Sequence, residues 1–343
     1  MKRIVGFCIL ALLCLIVRSQ ILDGKRVLWL GTSIPAGCTY PKNACANLGM
    51  ECLNHAIGES FIAERIFTLP QPHLGYSLAM SAEEKDSAYR HFVEEGMIDK
   101  HQLDVWKFTS YDNRMTPYLN DVDIVILDHG YNDAFTINHE SGIKPEDIDW
   151  ESEDKKTFIG AFNFLYRKIK EANPNVIVAI GGYFQNTCTF SYTVTGKHLS
   201  QVLTMIAEQY NLPLLDAWNY TGIKDGYIPD SKNYFDELNA QYGTNYHNLF
   251  PNEEGDITYF QKFCPDGVHP FSDPTGESDR ILDEVFTYLL ADKLVPLVVS
   301  AMTGGACLDT EIYTIHGCKV SSPRKGLNIM RMSDGTVRKY WKR

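Results

Sequence analysis

Arg26-Val27-Leu28-Trp29-Leu30-Gly31-Thr32-Ser33-Ile34-Pro35 is an apolar run that stops at a glycine and passes into two hydroxyl residues and a proline. A short apolar segment bounded by Gly reads as a buried strand, and the residues after it as a strand-to-helix turn. Open α/β sheets bind ligands beyond the carboxyl ends of their strands. Ser33 is therefore a candidate site residue, with its hydroxyl facing solvent and neighbouring backbone N–H groups available to an oxyanion. A serine at such a turn is also a good helix N-cap, and this stretch alone leaves both readings open.

Outward from this strand the chain alternates. Further strand candidates are Glu51–Ile57, Asp123–Leu127, Asn175–Ile180 and Leu212–Leu215; helical patterns fill Lys155–Ala172, His198–Tyr210 and Thr275–Leu294. Asp123–Leu127 is continuous and β-branched, as a strand buried on both faces requires. Strands alternating with helices predict a parallel sheet of about five strands covered on both sides. Two stretches exceed this repeat and read as insertions, 70–119 and 222–263. The first predicts helices around Ala82–Glu95 and Lys100–Lys107. The second carries Tyr227, Tyr234, Phe235, Tyr242 and Tyr246, aromatic faces suited either to stacking on sugar rings or to packing the loop onto its domain.

With 343 residues, 44% of them hydrophobic, the chain can build a sizeable core. Its net charge of −11 repels phosphate backbones and argues against nucleic acid as a partner. Lys2 and Arg3, the apolar run Ile4–Val17 and the Val17-Arg18-Ser19 end read as a signal peptide over residues 1–19, too short to span a bilayer. Cys38, Cys45, Cys52, Cys188, Cys264, Cys307 and Cys318 follow it. In an exported chain this predicts one to three disulfides, with Cys307–Cys318 and a pair among Cys38, Cys45 and Cys52 favoured by proximity. No C-x-x-C pair or His cluster points to zinc.

The remaining chemistry lies in two blocks. Asp266-Gly267-Val268-His269-Pro270 puts a carboxylate three residues ahead of an imidazole, a spacing that lets the acid fix the ring's tautomer while the other nitrogen takes a serine proton. Asp128-His129-Gly130-Tyr131-Asn132-Asp133 follows the third strand, where the Asn132 amide can donate to an oxyanion; as a bare sequence it is also a turn, which Asp133 would cap. His55 and His129 flank the expected donors and read as substrate contacts or, more simply, as hydrogen-bonded structural histidines.

In this order the blocks resemble the SGNH hydrolases, also called the GDSL esterase and lipase family, over about residues 25–292. Gly31-Thr32-Ser33-Ile34 is similar to the nucleophile block, Asn54-His55-Ala56-Ile57-Gly58-Glu59-Ser60 to the glycine block, Gly130-Tyr131-Asn132-Asp133 to the asparagine block, and Asp266-Gly267-Val268-His269-Pro270 to the last. The resemblance implies Ser33 as nucleophile, His269 as general base, Asp266 as its orienting acid, and the Ser33 and Gly58 N–H groups with the Asn132 amide as oxyanion donors. It implies a flavodoxin-like three-layer α/β/α sandwich, placed here in residues 20–302, and a reaction that requires no cofactor or metal. Thr32 stands where the family usually has Asp, a departure expected to affect local hydrogen bonding and substrate range.

The expected substrate is a polar extracellular ester, first an acetylated glycan and second a lipid acyl ester with 70–119 as a lid. A glycan-binding module without activity is the competing class. After Thr303-Gly304-Gly305, read as a hinge, the chain continues in short alternating segments separated by Gly turns, which predict a small β appendage over 303–343. From Lys319 onward these segments carry eight Lys or Arg and a single acid, Asp334. They resemble the sorting-like C-terminal tails of secreted Bacteroidetes proteins, which implies a contact with secretion machinery and a secreted, periplasmic or surface location in a Gram-negative cell. A basic appendage packed on the acidic body is the alternative.

Overall fold

The computed structural model describes residues 21–302, apart from 65, 68–72, 75, 138–147, 182–192, 195–196, 222–225, 229–233 and 250, together with four strands between 311 and 342. Five parallel strands make the central sheet: β1 (Arg26–Gly31), β2 (Glu51–Asn54), β3 (Ile124–Asp128), β4 (Ile177–Gly181) and β5 (Leu214–Leu215). Their spatial order is β5-β4-β3-β1-β2. This is the flavodoxin-like winding, in which the chain reverses direction across the sheet at β1 and β3.

Alternation along each strand divides the core. Leu28, Leu30, Val125, Leu127, Val178 and Ile180 pack with Phe158, Phe162 and Leu165 of helix Phe158–Ala172 and with Val202 and Ile206 of helix Leu199–Tyr210. Trp29, whose side chain alternates with those of Leu28 and Leu30, meets Tyr40 and Phe286 at ring distances of 5.5 and 5.7 Å. Those rings belong to helices Tyr40–Asn47 and Glu277–Met302. Every residue of β3 is buried, which explains its unbroken apolar run.

The 70–119 insertion holds the two expected helices, Ala82–Glu94 and Lys100–Phe108, each opened by a capping box (Ser81 with Glu84, Asp99 with Gln102). They bury Met80, Tyr89, Ile98, Leu103 and Trp106 in a cluster of their own. A short helix, Tyr111–Arg114, leads back to the sheet. Within 222–263, Tyr227–Ile228 pairs with Ile257–Thr258, and helices span Tyr234–Tyr242 and Tyr259–Phe263.

The chain forms two compact units, 1–293 and 294–343, divided inside the last helix. That helix runs through Pro296 to Met302, past the end expected at Leu294; Pro296 has no N–H to donate to the preceding turn. The second unit contains an antiparallel sheet in the order 319–320, 311–314, 326–331, 337–342.

The disulfide expected among Cys38, Cys45 and Cys52 is not formed. These three and Cys264 are free thiols. Cys45 lies beside Cys52, and burial together with the nearby Asp279 carboxylate pushes the Cys38 thiol up. Cys188, Cys307, Cys318 and the signal peptide of residues 1–19 lie outside the described residues. Among the described residues no group of three or more His, Cys, Asp or Glu is arranged to hold a metal ion, and no helix is long and apolar enough to cross a membrane.

Candidate active site

The turn after β1 is built by close contact. A Cβ on Gly31 would lie 2.3 Å from the Pro35 ring and 2.8 Å from the Asp128 carbonyl oxygen, so only glycine lets the chain pass between β3 and the following helix, Ser33–Gly37. Ser33 is the first residue of that helix. The cap position belongs to Thr32, whose side chain makes no capping bond, so the N-cap reading of Ser33 fails.

Ser33 Oγ lies 2.9 Å from His269 Nε2, across 236 residues of sequence. His269 Nδ1 lies 2.7 Å from Asp266 Oδ2. The other carboxylate oxygen, Oδ1, accepts the backbone N–H groups of Val268 at 2.9 Å and His269 at 2.7 Å. Gly267 makes this tight turn possible with φ +81°. Ser272 closes it, donating to the His269 carbonyl oxygen at 2.6 Å and accepting the Asp266 N–H at 3.2 Å. Burial pushes the Asp266 carboxyl up, but the His269 ring and the two backbone N–H groups outweigh it and hold the group below its ordinary value. The carboxylate therefore stays ionised and accepts the Nδ1 proton, which leaves Nε2 as the acceptor facing Ser33.

The glycine block reaches Ser33 because the β1–β2 ladder runs on past Asn54. His55 N–H donates to the Trp29 carbonyl and Ile57 N–H to the Gly31 carbonyl. Asn54 Nδ2 donates to the Pro35 carbonyl at 2.8 Å, pinning the end of β2 to the nucleophile helix. A Cβ on Gly58 would stand 3.9 Å from Ser33 Cβ. Asn132, near the start of helix Tyr131–Ile137, donates from Nδ2 to the Ser60 carbonyl at 2.8 Å. That bond fixes the plane of an amide whose nitrogen carries a second hydrogen.

Fully buried, the Asp133 carboxylate accepts the backbone N–H groups of Ile62 and Ala63 at 2.9 to 3.1 Å, which ties the asparagine block to the segment just after the glycine block. His55 and His129 are both hydrogen-bonded within the protein, to the Arg114 carbonyl at 3.0 Å and to Ser60 Oγ at 3.1 Å. Arg114 lies in none of the sequence blocks, and Ser60 and Asp128, which close the glycine block and open the asparagine stretch, carry no role there that the sequence alone assigns. Asp128 ends β3 beside Gly31 and accepts from Tyr40 Oη at 2.6 Å and Trp29 Nε1 at 3.2 Å. Burial pushes its carboxyl up to about 6 against the pull of those two donors.

No family model matches the chain, and no curated protein matches it. Among solved structures it is similar to a chain from Chitinophaga pinensis described as a possible lipase, at 14% identity and a TM-score of 0.41, over 81% of this chain and 98% of that one. A member of the lipolytic G-D-S-L family from Veillonella parvula aligns at 12% identity and a TM-score of 0.31, over 78% and 97%. A mutant of an acetyl-xylooligosaccharide esterase from a Geobacillus species aligns at 14% and 0.36, over 78% and 94%.

Proposed function

We propose that the protein is an exported serine ester hydrolase that removes acetyl groups from a glycan through a covalent intermediate on Ser33. The observation that carries this reading is the unbroken chain of hydrogen bonds from Ser33 Oγ through the His269 ring to the Asp266 carboxylate. Ser33 attacks the ester carbonyl while His269 Nε2 takes its proton, and Asp266 stabilises the imidazolium that forms. The negative oxygen of the tetrahedral intermediate is met by the Ser33 and Gly58 backbone N–H groups and the Asn132 amide, each donor contributing about 3 kcal/mol in the transition state. His269 then gives its proton to the leaving alcohol, and water, activated by the same nitrogen, releases the acid.

The glycan is supported by an 860 Å³ cavity lined by Tyr220, Tyr234, Tyr242 and Tyr259 together with Glu237 and Lys262. Three of those tyrosines are well exposed. Aromatic faces among charged groups suit a ring that presents C–H on one side and hydroxyls on its edge. Its lining includes Asp273 and Thr275 but none of Ser33, Gly58, Asn132, Asp266 and His269, so it is read as a subsite for the body of the glycan and not as the acyl pocket. A lipid ester is the second reading, favoured by the exposed apolar side chains of Met97, Val105 and Phe108 on the 70–119 insertion. The leader of residues 1–19 and the tail of 303–343 belong to the same proposal as export and sorting elements of a Gram-negative cell.

Hydrolysis of p-nitrophenyl acetate and p-nitrophenyl octanoate by the purified chain and by Ser33→Ala tests both parts. Acetate should be preferred, and Ser33→Ala should be inactive on both. An octanoate preference shifts the substrate to lipid, and activity retained by Ser33→Ala removes the nucleophile.

A further inference from the structure

We infer that Arg114 is a positioning residue for the oxyanion side of this site, its one guanidinium holding together the chain segments that supply the donors. The inference rests on the reading of Ser33 as nucleophile. Arg114 ends the short helix Tyr111–Arg114 and is 2% exposed. Nε and Nη2 both donate to the His55 carbonyl, at 3.1 and 2.5 Å, three residues before Gly58. Nη2 also faces the Gly31 carbonyl at 3.5 Å, two residues before Ser33. Nη1 donates to Ser60 Oγ at 2.9 Å, and the Ser60 carbonyl is the acceptor of the Asn132 amide. The His55 ring returns the contact through Nδ1 and the Arg114 carbonyl at 3.0 Å. Each of the three donor segments is thus reached from a single planar group.

The arrangement is costly. Arg114 makes no ion pair with any described residue, and burial pushes its guanidinium down to about 9. A well-packed apolar side chain would fill such a space at lower cost than an unpaired charge. Only arginine, however, presents five N–H donors in a rigid fork able to span these carbonyls and a hydroxyl. Its positive charge, paired with no described acid, also favours negative charge nearby in a poorly screened interior, and negative charge is what the tetrahedral intermediate develops.

Ser60 carries the link to the asparagine block. Its hydroxyl donates to the Tyr76 carbonyl at 3.2 Å and accepts from Arg114, so His129 Nε2, 3.1 Å away, is the donor of their bond. His129 is held neutral by burial and then by the Arg114 charge. Its Nδ1, buried and without a partner, is then a bare lone pair, which is cheaper to bury than an N–H.

The test measures kcat and KM for p-nitrophenyl acetate, the affinity of an alkylboronic acid that forms a tetrahedral adduct, and the melting temperature, for the wild type, Ser33→Ala, Arg114→Lys, Arg114→Gln and Ser60→Ala. The expected result is a kcat fall of about 30-fold in both Arg114 variants and about tenfold in Ser60→Ala, with KM within roughly threefold and boronate affinity falling in step with kcat. A folded Arg114→Lys with wild-type kcat and boronate affinity overturns the inference, as does a lowered melting temperature with kcat untouched. If neither Arg114 variant folds, Ser60→Ala decides: wild-type kcat and boronate affinity there overturn it. Activity retained by Ser33→Ala is a separate outcome that removes the nucleophile.

Discussion

Replacing Asp266 with Asn probes the site through the tautomer of one ring. In the wild type, Oδ1 accepts two backbone N–H groups and Oδ2 faces His269 Nδ1. An asparagine must keep its oxygen toward the two N–H groups, because turning its NH₂ there would set donor against donor. The NH₂ then faces Nδ1, which becomes an acceptor, and the ring's proton moves to Nε2, the nitrogen beside Ser33 Oγ. A protonated Nε2 cannot take the serine proton. The expected loss in kcat is about 10⁴-fold, equivalent to ~5.5 kcal/mol of barrier. Because both backbone bonds survive, the melting temperature should change little. Initial rates on p-nitrophenyl acetate, alongside thermal unfolding, read both quantities. A correctly folded Asp266→Asn variant within tenfold of wild-type kcat would refute the reasoning.

Two further predictions concern other parts of the molecule. Asp128 has its carboxyl raised from 3.8 to about 6 by burial, so the protonated group is favoured in the folded chain. Its contribution is complete below the unfolded value and is lost as pH rises through about 6, a difference of about 3 kcal/mol. Asp128→Asn should remove that component from the pH dependence of urea unfolding between about pH 4 and pH 8, and an unchanged dependence would count against it. Tyr259→Ala, in the tyrosine-lined cavity, should lower kcat/KM on the acetylated polysaccharide that the wild type deacetylates best by about tenfold, the value of one aromatic contact, with p-nitrophenyl acetate unaffected. Equal effects on both substrates would place the cavity outside substrate binding.

The sheet was legible because its strands are short apolar runs that stop at glycines or polar turns. Arg26–Leu30 and Asp123–Leu127 differ from the observed Arg26–Gly31 and Ile124–Asp128 by a residue at each changed end. Ser33, Asp266 and His269, whose side chains the structure brings into one hydrogen-bonded row, could be singled out because strand-end serine and the three-residue acid-to-imidazole spacing are local signals. Arg114 was not, since its partners Gly31, His55 and Ser60 are 54 to 83 residues away and nothing around it distinguishes a buried arginine from a surface one. The free state of Cys38, Cys45 and Cys52 was likewise hidden. Proximity in sequence says nothing about whether the Cys38 thiol will be buried near an Asp279 carboxylate from the last helix, away from the other two thiols. The tie made by Asp133 was hidden for the same reason, its partners Ile62 and Ala63 lying some 70 residues upstream.

Covalent labelling with a fluorophosphonate tests the central claim most directly, because the reagent needs an activated serine and leaves a stable mass on it. Mass spectrometry of the digested protein should find one adduct, on Ser33, absent from Ser33→Ala and formed much more slowly in His269→Ala. An adduct on another residue, or an unmodified Ser33 in a preparation that still hydrolyses acetyl esters, would contradict the account.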